Sequence, residues 1–150
     1  MQIGENSYPP PPGELWQGAD EDSDISSVRD MFIGKTNEEL PPLLQENYLI
    51  RCLDLAVMPD LAFGYYGIGF ANFILAANLD DERFGVFLGA FLDATSRKRE
   101  SSPLCWLGFW RHADGLLERL FKKLGACEMN EDTKNELTKE LDELRSAISE

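Results

Sequence analysis

Positive charge is scarce in this chain. Fourteen lysines and arginines stand against 27 aspartates and glutamates, a formal net charge of −13. Neutralising nucleic-acid phosphates needs a basic face, so this balance argues against a nucleic-acid binder. It is compatible with a basic protein partner, whose opposite potential steers encounter and raises the on-rate, and it equally serves solubility alone. Histidine is nearly missing. His112 stands between Arg111 and Asp114, and on a helix residues i and i+2 do not face each other, so a surface position is expected. No serine or cysteine nucleophile motif accompanies it, and no enzyme is expected.

Cysteine is also sparse. Cys52, Cys105 and Cys127 are widely spaced and odd in number, which does not suit a secreted disulfide scaffold. They form no CxxC or Cys/His pattern, so neither a metal nor a cofactor is expected, and the three read as reduced thiols of a cytoplasmic protein. Long apolar runs are lacking as well. A membrane span needs about 20 apolar residues, and Gly64, Gly67 and Gly69, then Asp80 to Arg83, interrupt the nearest candidate. The first residues, MQIGENSYPPPPGELW, have no basic stretch followed by an apolar one, so no signal peptide is read there. The expectation is a soluble protein with no membrane role.

What remains is a chain of 150 residues with a globular composition, expected to form a single domain over 1–150. Residues 1–23 read as a leader. Pro9 to Pro12 favour an extended polyproline conformation, and the acids Asp20, Glu21, Asp22 and Asp24 follow. It could be a tail, a proline-rich ligand or a strap; Tyr8, Leu15 and Trp16 favour a strap, because such side chains need a surface on which to bury.

A first helix is expected after Ser23 or Asp24, with Ile25, Val28 and Phe32 inward and Gly34 ending it. Thr36 and Glu39 have capping-box spacing, and Pro41-Pro42 suits a helix start with Leu40, Leu43 and Leu44 buried. Residues 47–57 fit a helix through Leu49, Cys52, Leu53 and Ala56, or a strand through Leu53, Leu55 and Val57; helix is preferred.

Met58 to Leu92 organises the chain. It reads as two buried helices hinged at Asn78 to Asp81, the first carrying Phe63, Tyr66, Phe70, Phe73, Ile74 and Ala77. Glycine inside a helix costs about 1 kcal/mol relative to alanine. Gly64, Gly67 and Gly69 therefore suggest a kink or a close backbone approach. Their order does not match a dinucleotide fingerprint, and no P-loop lysine follows. Asp80 or Asp81 caps the second helix, with Phe84, Phe87, Leu88, Phe91 and Leu92 on one face. The pairs Asp80/Asp81 and Glu38/Glu39 are explained as helix starts rather than as acid–base or cation sites.

Ala94 to Ser102 reads as a polar loop holding Arg97, Lys98 and Arg99. A long helix is expected from Pro103 to Leu124, its core face built from Leu107, Trp110, Leu117, Leu120, Phe121 and Leu124, with Gly125 as its stop. Trp106 and Trp110 are expected in the core rather than as a binding platform. A last helix begins at Asn130 or Thr133. Leu137, Leu141, Leu144 and Ile148 form a narrow seam, and Glu136, Glu140, Asp142 and Glu143 make its wet face acidic.

Two stretches carry a resemblance. Phe32, Gly34, Lys35, Glu39 and Leu40, then Met58, Ala62, Phe63, Tyr65, Tyr66, Phe70 and Ile74, resemble a family of small uncharacterised bacterial proteins. In that family a proline-containing leader precedes segments like "FFGGKxWxEL" and "MSPEAFRYYLPAFLL". The likeness spans roughly Tyr8 to Ala77. Gly64 replaces the family's arginine, and Ile68 and Gly69 replace its proline and alanine, so no role of that arginine transfers. Members resemble the acidic immunity proteins encoded beside bacterial polymorphic toxins.

Together these readings predict an all-α bundle of five to seven helices, the central pair wrapped by the first, long and last ones. The expected function is a non-enzymatic binding protein of immunity type that occludes a cognate toxin, a basic nuclease being the suggested partner. Asp20, Glu21, Asp22 and Asp24, with Glu136, Glu140, Asp142 and Glu143, are the candidate partner-binding residues. The alternatives are an assembly module that oligomerises through the last helix and a small enzyme with an aromatic pocket.

Overall fold

The structure is a computed structural model describing Trp16 and residues 23–113 and 115–149, apart from the side chains of Ser23 and Asp24. The described residues are all-α: eight α-helices, a short 3-10 turn and no strand. The chain divides into two compact units, Met1–Phe73 and Ile74–Glu150.

The first unit holds α1 (Ser23–Phe32), the 3-10 turn (Asn37–Glu39), α2 (Pro41–Glu46), α3 (Tyr48–Val57) and most of α4 (Asp60–Ala76). Residues 47–57 are helical because Asn47 caps them, its side-chain oxygen accepting from the Ile50 amide at 3.2 Å. The expected face of α3 is corrected except at Cys52. Tyr48, Cys52 and Leu55 turn inward, while Leu49 and Leu53 are exposed.

Around α4 the core is aromatic. Phe32 lies 5.3 Å from the Tyr66 ring and stacks on Phe70 at 6.0 Å, and Tyr48 stacks on Phe73 at 5.5 Å. Buried hydroxyls find carbonyls: Tyr48 donates to Phe70 O at 3.1 Å, and the Tyr66 hydroxyl reaches Phe32 O and Lys35 O at 2.7 and 2.8 Å. Trp16 is buried against Tyr66, with ring centroids 6.3 Å apart. Tyr8 and Leu15, the other expected anchors of the leader, lie outside the described residues.

The capping-box spacing closes the 3-10 turn. Glu39 accepts from the Thr36 amide at 2.9 Å and from its hydroxyl at 3.0 Å, which lowers the Glu39 pKa. Asn37 is buried and pins this turn to α4. Its amide N–H donates to the Tyr65 hydroxyl at 3.1 Å, and its side-chain nitrogen donates to Tyr65 O at 2.9 Å. Its side-chain oxygen fills the space where a Cβ on Gly69 would stand. At Gly69 the close approach is made by the side chains of Asn37 and Leu40 rather than by the expected backbone, while a Cβ on Gly64 would meet nothing within 4 Å.

The second unit holds the end of α4, then α5 (Asp81–Ser101), α6 (Pro103–His112), α7 (Leu116–Ala126) and α8 (Glu131–Ser149). Asp80 caps α5 by accepting from the Arg83 amide at 2.8 Å. The polar loop expected over 94–102 is in fact the last two turns of α5. Thr95 is buried and donates to Leu92 O at 2.9 Å, Arg97 pairs with Asp93 at 3.1 Å, and Lys98 is buried along its stem. Basic residues at this end also suit the negative end of the helix dipole.

The long helix expected from Pro103 to Leu124 is two helices. Gly115 adopts φ +69°, a left-handed conformation that only glycine enters at no steric cost, so the chain breaks there between α6 and α7. This break alone turns the upper expectation of seven helices into eight, since separate helices from Pro41 and over 47–57 were already expected. Leu116, Leu120 and Leu124 form the buried face of α7, while Leu117 and Phe121 are half-buried. Gly125 lies within the last turn instead of stopping it, and Cys127 caps the end. Trp106 and Trp110 are core residues, as expected, and His112 is exposed. All three cysteines are free thiols, Cys52 and Cys127 buried. Among the described residues no helix is long and apolar enough to cross a membrane.

Candidate functional site

The last helix is fastened at both ends. At its start Asn130 caps it, accepting from the amides of Asp132 and Thr133, and Lys134 donates to Gly125 O and Cys127 O at 3.2 and 2.8 Å. At its end Arg111 of α6 donates twice to Ile148 O at 3.2 Å. One turn before that end, the Arg145 guanidinium lies 3.9 Å over the Phe121 ring and donates to both Glu118 oxygens at 3.1 and 3.2 Å. Leu137, Leu141 and Leu144 are buried within the unit, so the expected seam is real and already occupied.

That packing turns Glu136, Glu140 and Glu143 outward at i, i+4 and i+7, along one edge. Opposite them, Asp93 and Ser96 of α5 and Trp106 of α6 complete a groove of about 330 Å³. Arg99 lies across it with its guanidinium 4.4 Å over the Trp106 ring. Partial burial of its carboxyl, with the charges of Glu136, Glu143 and Asp93, pushes the Glu140 pKa up. Among the described residues none of Glu136, Glu140 and Glu143 has an ion-pair partner. The edge therefore carries carboxylates that no ion pair closes, with Arg99 and Lys139 along its flanks, and this arrangement on a fixed scaffold favours an incoming cationic side chain. Among the described residues no three His, Cys, Asp or Glu side chains come together as metal ligands do.

Of the sequence candidates, the structure brings Glu136, Glu140 and Glu143 together. Asp142 turns to the other flank, beside Lys139 and Ser146, with Arg145 at 3.9 Å. Asp24 lies in the first turn of α1, and Asp20, Glu21 and Asp22 lie outside the described residues. Asp93, Arg99 and Trp106 were not among the candidates. The i, i+4 spacing of Asp93 and Arg97 was the available signal that the helix continues past Ala94 and carries Asp93 and Arg99 on it.

Comparisons with protein-family models, curated proteins and solved structures returned no match.

Proposed function

We propose that this chain is a non-enzymatic, cytoplasmic binding protein of immunity type, which neutralises a cognate bacterial toxin by occluding it. The observation that carries this reading is the unpaired acidic edge of α8, where Glu140 is held beside Glu136, Glu143 and Asp93 at an electrostatic cost to the free protein. A basic partner, such as a nuclease whose active site binds phosphates, removes that cost when its lysines and arginines enter the groove. The resemblance of Tyr8 to Ala77 to small bacterial proteins, some of immunity type, points the same way. Burial of the α8 seam inside its own unit leaves assembly through the last helix without a surface and favours the binding reading.

The test starts from the neighbouring gene. Its product, purified as the toxin domain, is titrated with this protein at low and high salt. Tight binding is expected, with an on-rate that falls as salt rises and falls further with Glu140→Lys and Glu143→Lys. A neighbour that does not bind, or an on-rate indifferent to salt and to both reversals, contradicts the reading.

A further inference from the structure

Helix α3 is apolar on two sides. Its inner side is Tyr48, Cys52 and Leu55. On the outer side Leu49, Ile50, Leu53 and Val57 fall within one arc of about 100°, and Leu61 follows in the first turn of α4. These five side chains are 42–59% exposed. A helix that is apolar all round is normally a covered helix. The stripe contains no charge, and the one charged pair on α3, Arg51 with Asp54, is closed on itself at 2.9 Å. A basic partner therefore finds nothing to read there, unlike at the α8 edge.

We infer that this outer face of α3 docks the same face of a second copy of the chain. Leu49, Leu53 and Val57 are spaced by four, a ridge of the kind that packs into its own copy at a crossing angle near −50°. A two-fold axis through the middle of the stripe sets Leu53 against Leu53 and Leu49 against Val57 of the other copy, so one surface supplies both halves of the contact. The five side chains offer roughly 400 Å² on each copy, a two-copy total below the ~1,000 Å² of stable specific interfaces, which places the contact among the weak, transient ones. Opposing it are the net charge of −13 on each copy and the exposed carboxylates of Glu46 and Asp60 near the ends of α3. The dimer is accordingly weak and strengthens as salt screens that repulsion, the reverse of the salt dependence of a basic partner. This inference is independent of the proposed function.

Sedimentation velocity of the full chain between about 1 and 100 µM tests it. A monomer–dimer equilibrium is expected, tightening as sodium chloride rises from about 0.05 to 0.5 M. Leu53→Glu, which places a charge on the axis twice, is expected to weaken it at least about 100-fold. Val86→Glu, an exposed apolar residue of α5, is expected to leave it unchanged. Leu53→Cys gives a readout that does not depend on the folding of the glutamate variant: on mild oxidation it forms a homotypic disulfide, which the wild type with its three native thiols does not. A wild type that stays monomeric at the highest concentration, a dimer indifferent to Leu53→Glu, or one equally lost with Val86→Glu overturns the inference.

Discussion

The guanidinium of Arg99, at the end of α5, stacks 4.4 Å from the ring centre of Trp106, at the start of α6. The pair spans the Ser102–Pro103 turn and forms one wall of the acidic groove. Trp106 is buried, so Trp106→Ala removes a large packed surface and is expected to cost about 3–5 kcal/mol. Arg99→Ala removes the cation–π contact alone, worth about 0.5–1 kcal/mol at a site open to water. Urea unfolding of both variants measures the difference. Equal losses contradict the stacking geometry.

Gly69 offers a sharper contest. Replacing it by alanine raises helix propensity by about 1 kcal/mol. The new Cβ, however, stands 2.6 Å from Asn37 Cγ and 2.8 Å from Leu40 Cδ1. Overpacking of this kind typically costs about 1–3 kcal/mol, and Asn37 cannot retreat without giving up its bonds to Tyr65. Gly69→Ala is therefore expected to destabilise despite its better propensity. Gly64→Ala, with open space around it, is expected to stabilise. In a double-mutant cycle, Asn37→Gly and Gly69→Ala should cost less together than the sum of each alone. Additive losses contradict the clash.

The sequence made the helices legible where apolar spacing and caps agree. Phe63, Tyr66, Phe70 and Ile74 mark α4, and Leu137, Leu141 and Leu144 mark α8; both sets are buried. It misled where polarity stood in for structure. The run from Ala94 to Ser101 is polar yet helical, because its stability comes from an i, i+4 pair, a hydroxyl back-bond and a buried lysine stem, none of which appears in an apolar pattern. The face of α3 was misread in part because both of its sides are apolar: Cys52 is buried as expected, but spacing alone excludes neither Leu49 nor Leu53. Gly115 carried no visible signal either, since a left-handed glycine and a tolerated helical one look alike in sequence. At the candidate site, the three glutamates on α8 were legible as one face, but Asp93 and Trp106 come to the groove only through the packing of α5, α6 and α8.

Lys123 holds the end of α4. Its ammonium donates to Ile74 O at 2.9 Å and Leu75 O at 3.0 Å, and lies 4.9 Å over the Phe84 ring. These carbonyls belong to the last turn, which has no partners of its own within the helix. Lys123→Met keeps the stem and removes the charge, so it is expected to cost about 1–3 kcal/mol in urea unfolding. Lys122→Met, on the exposed side of the same turn, should stay within about 0.5 kcal/mol of wild type. Matching effects at the two positions contradict the capping role.

Glu140 links the groove to pH. Its pKa is raised, by partial burial first and then by Glu136, Glu143 and Asp93, so the folded chain holds this proton more tightly than the unfolded one. Between the ordinary glutamate range near about 4.3 and the raised value, the native state binds more protons, and stability falls as pH rises through that window. Glu140→Gln removes the charge that causes the fall. At pH 7 the variant is expected to be more stable than wild type by about 0.3 kcal/mol, the scale of a screened surface interaction, and to show a flatter stability profile above the ordinary glutamate range. A cationic partner reverses the sign at the same carboxyl: its charge favours the ionised form, so within the Glu140 titration binding releases a proton and weakens as pH falls. Titration of the complex against pH, wild type beside Glu140→Gln, separates the two effects. A variant that gains stability at neutral pH and loses the acid weakening of binding fits an edge strained in the free protein and relieved in the complex; one that keeps the weakening places the cation contact elsewhere.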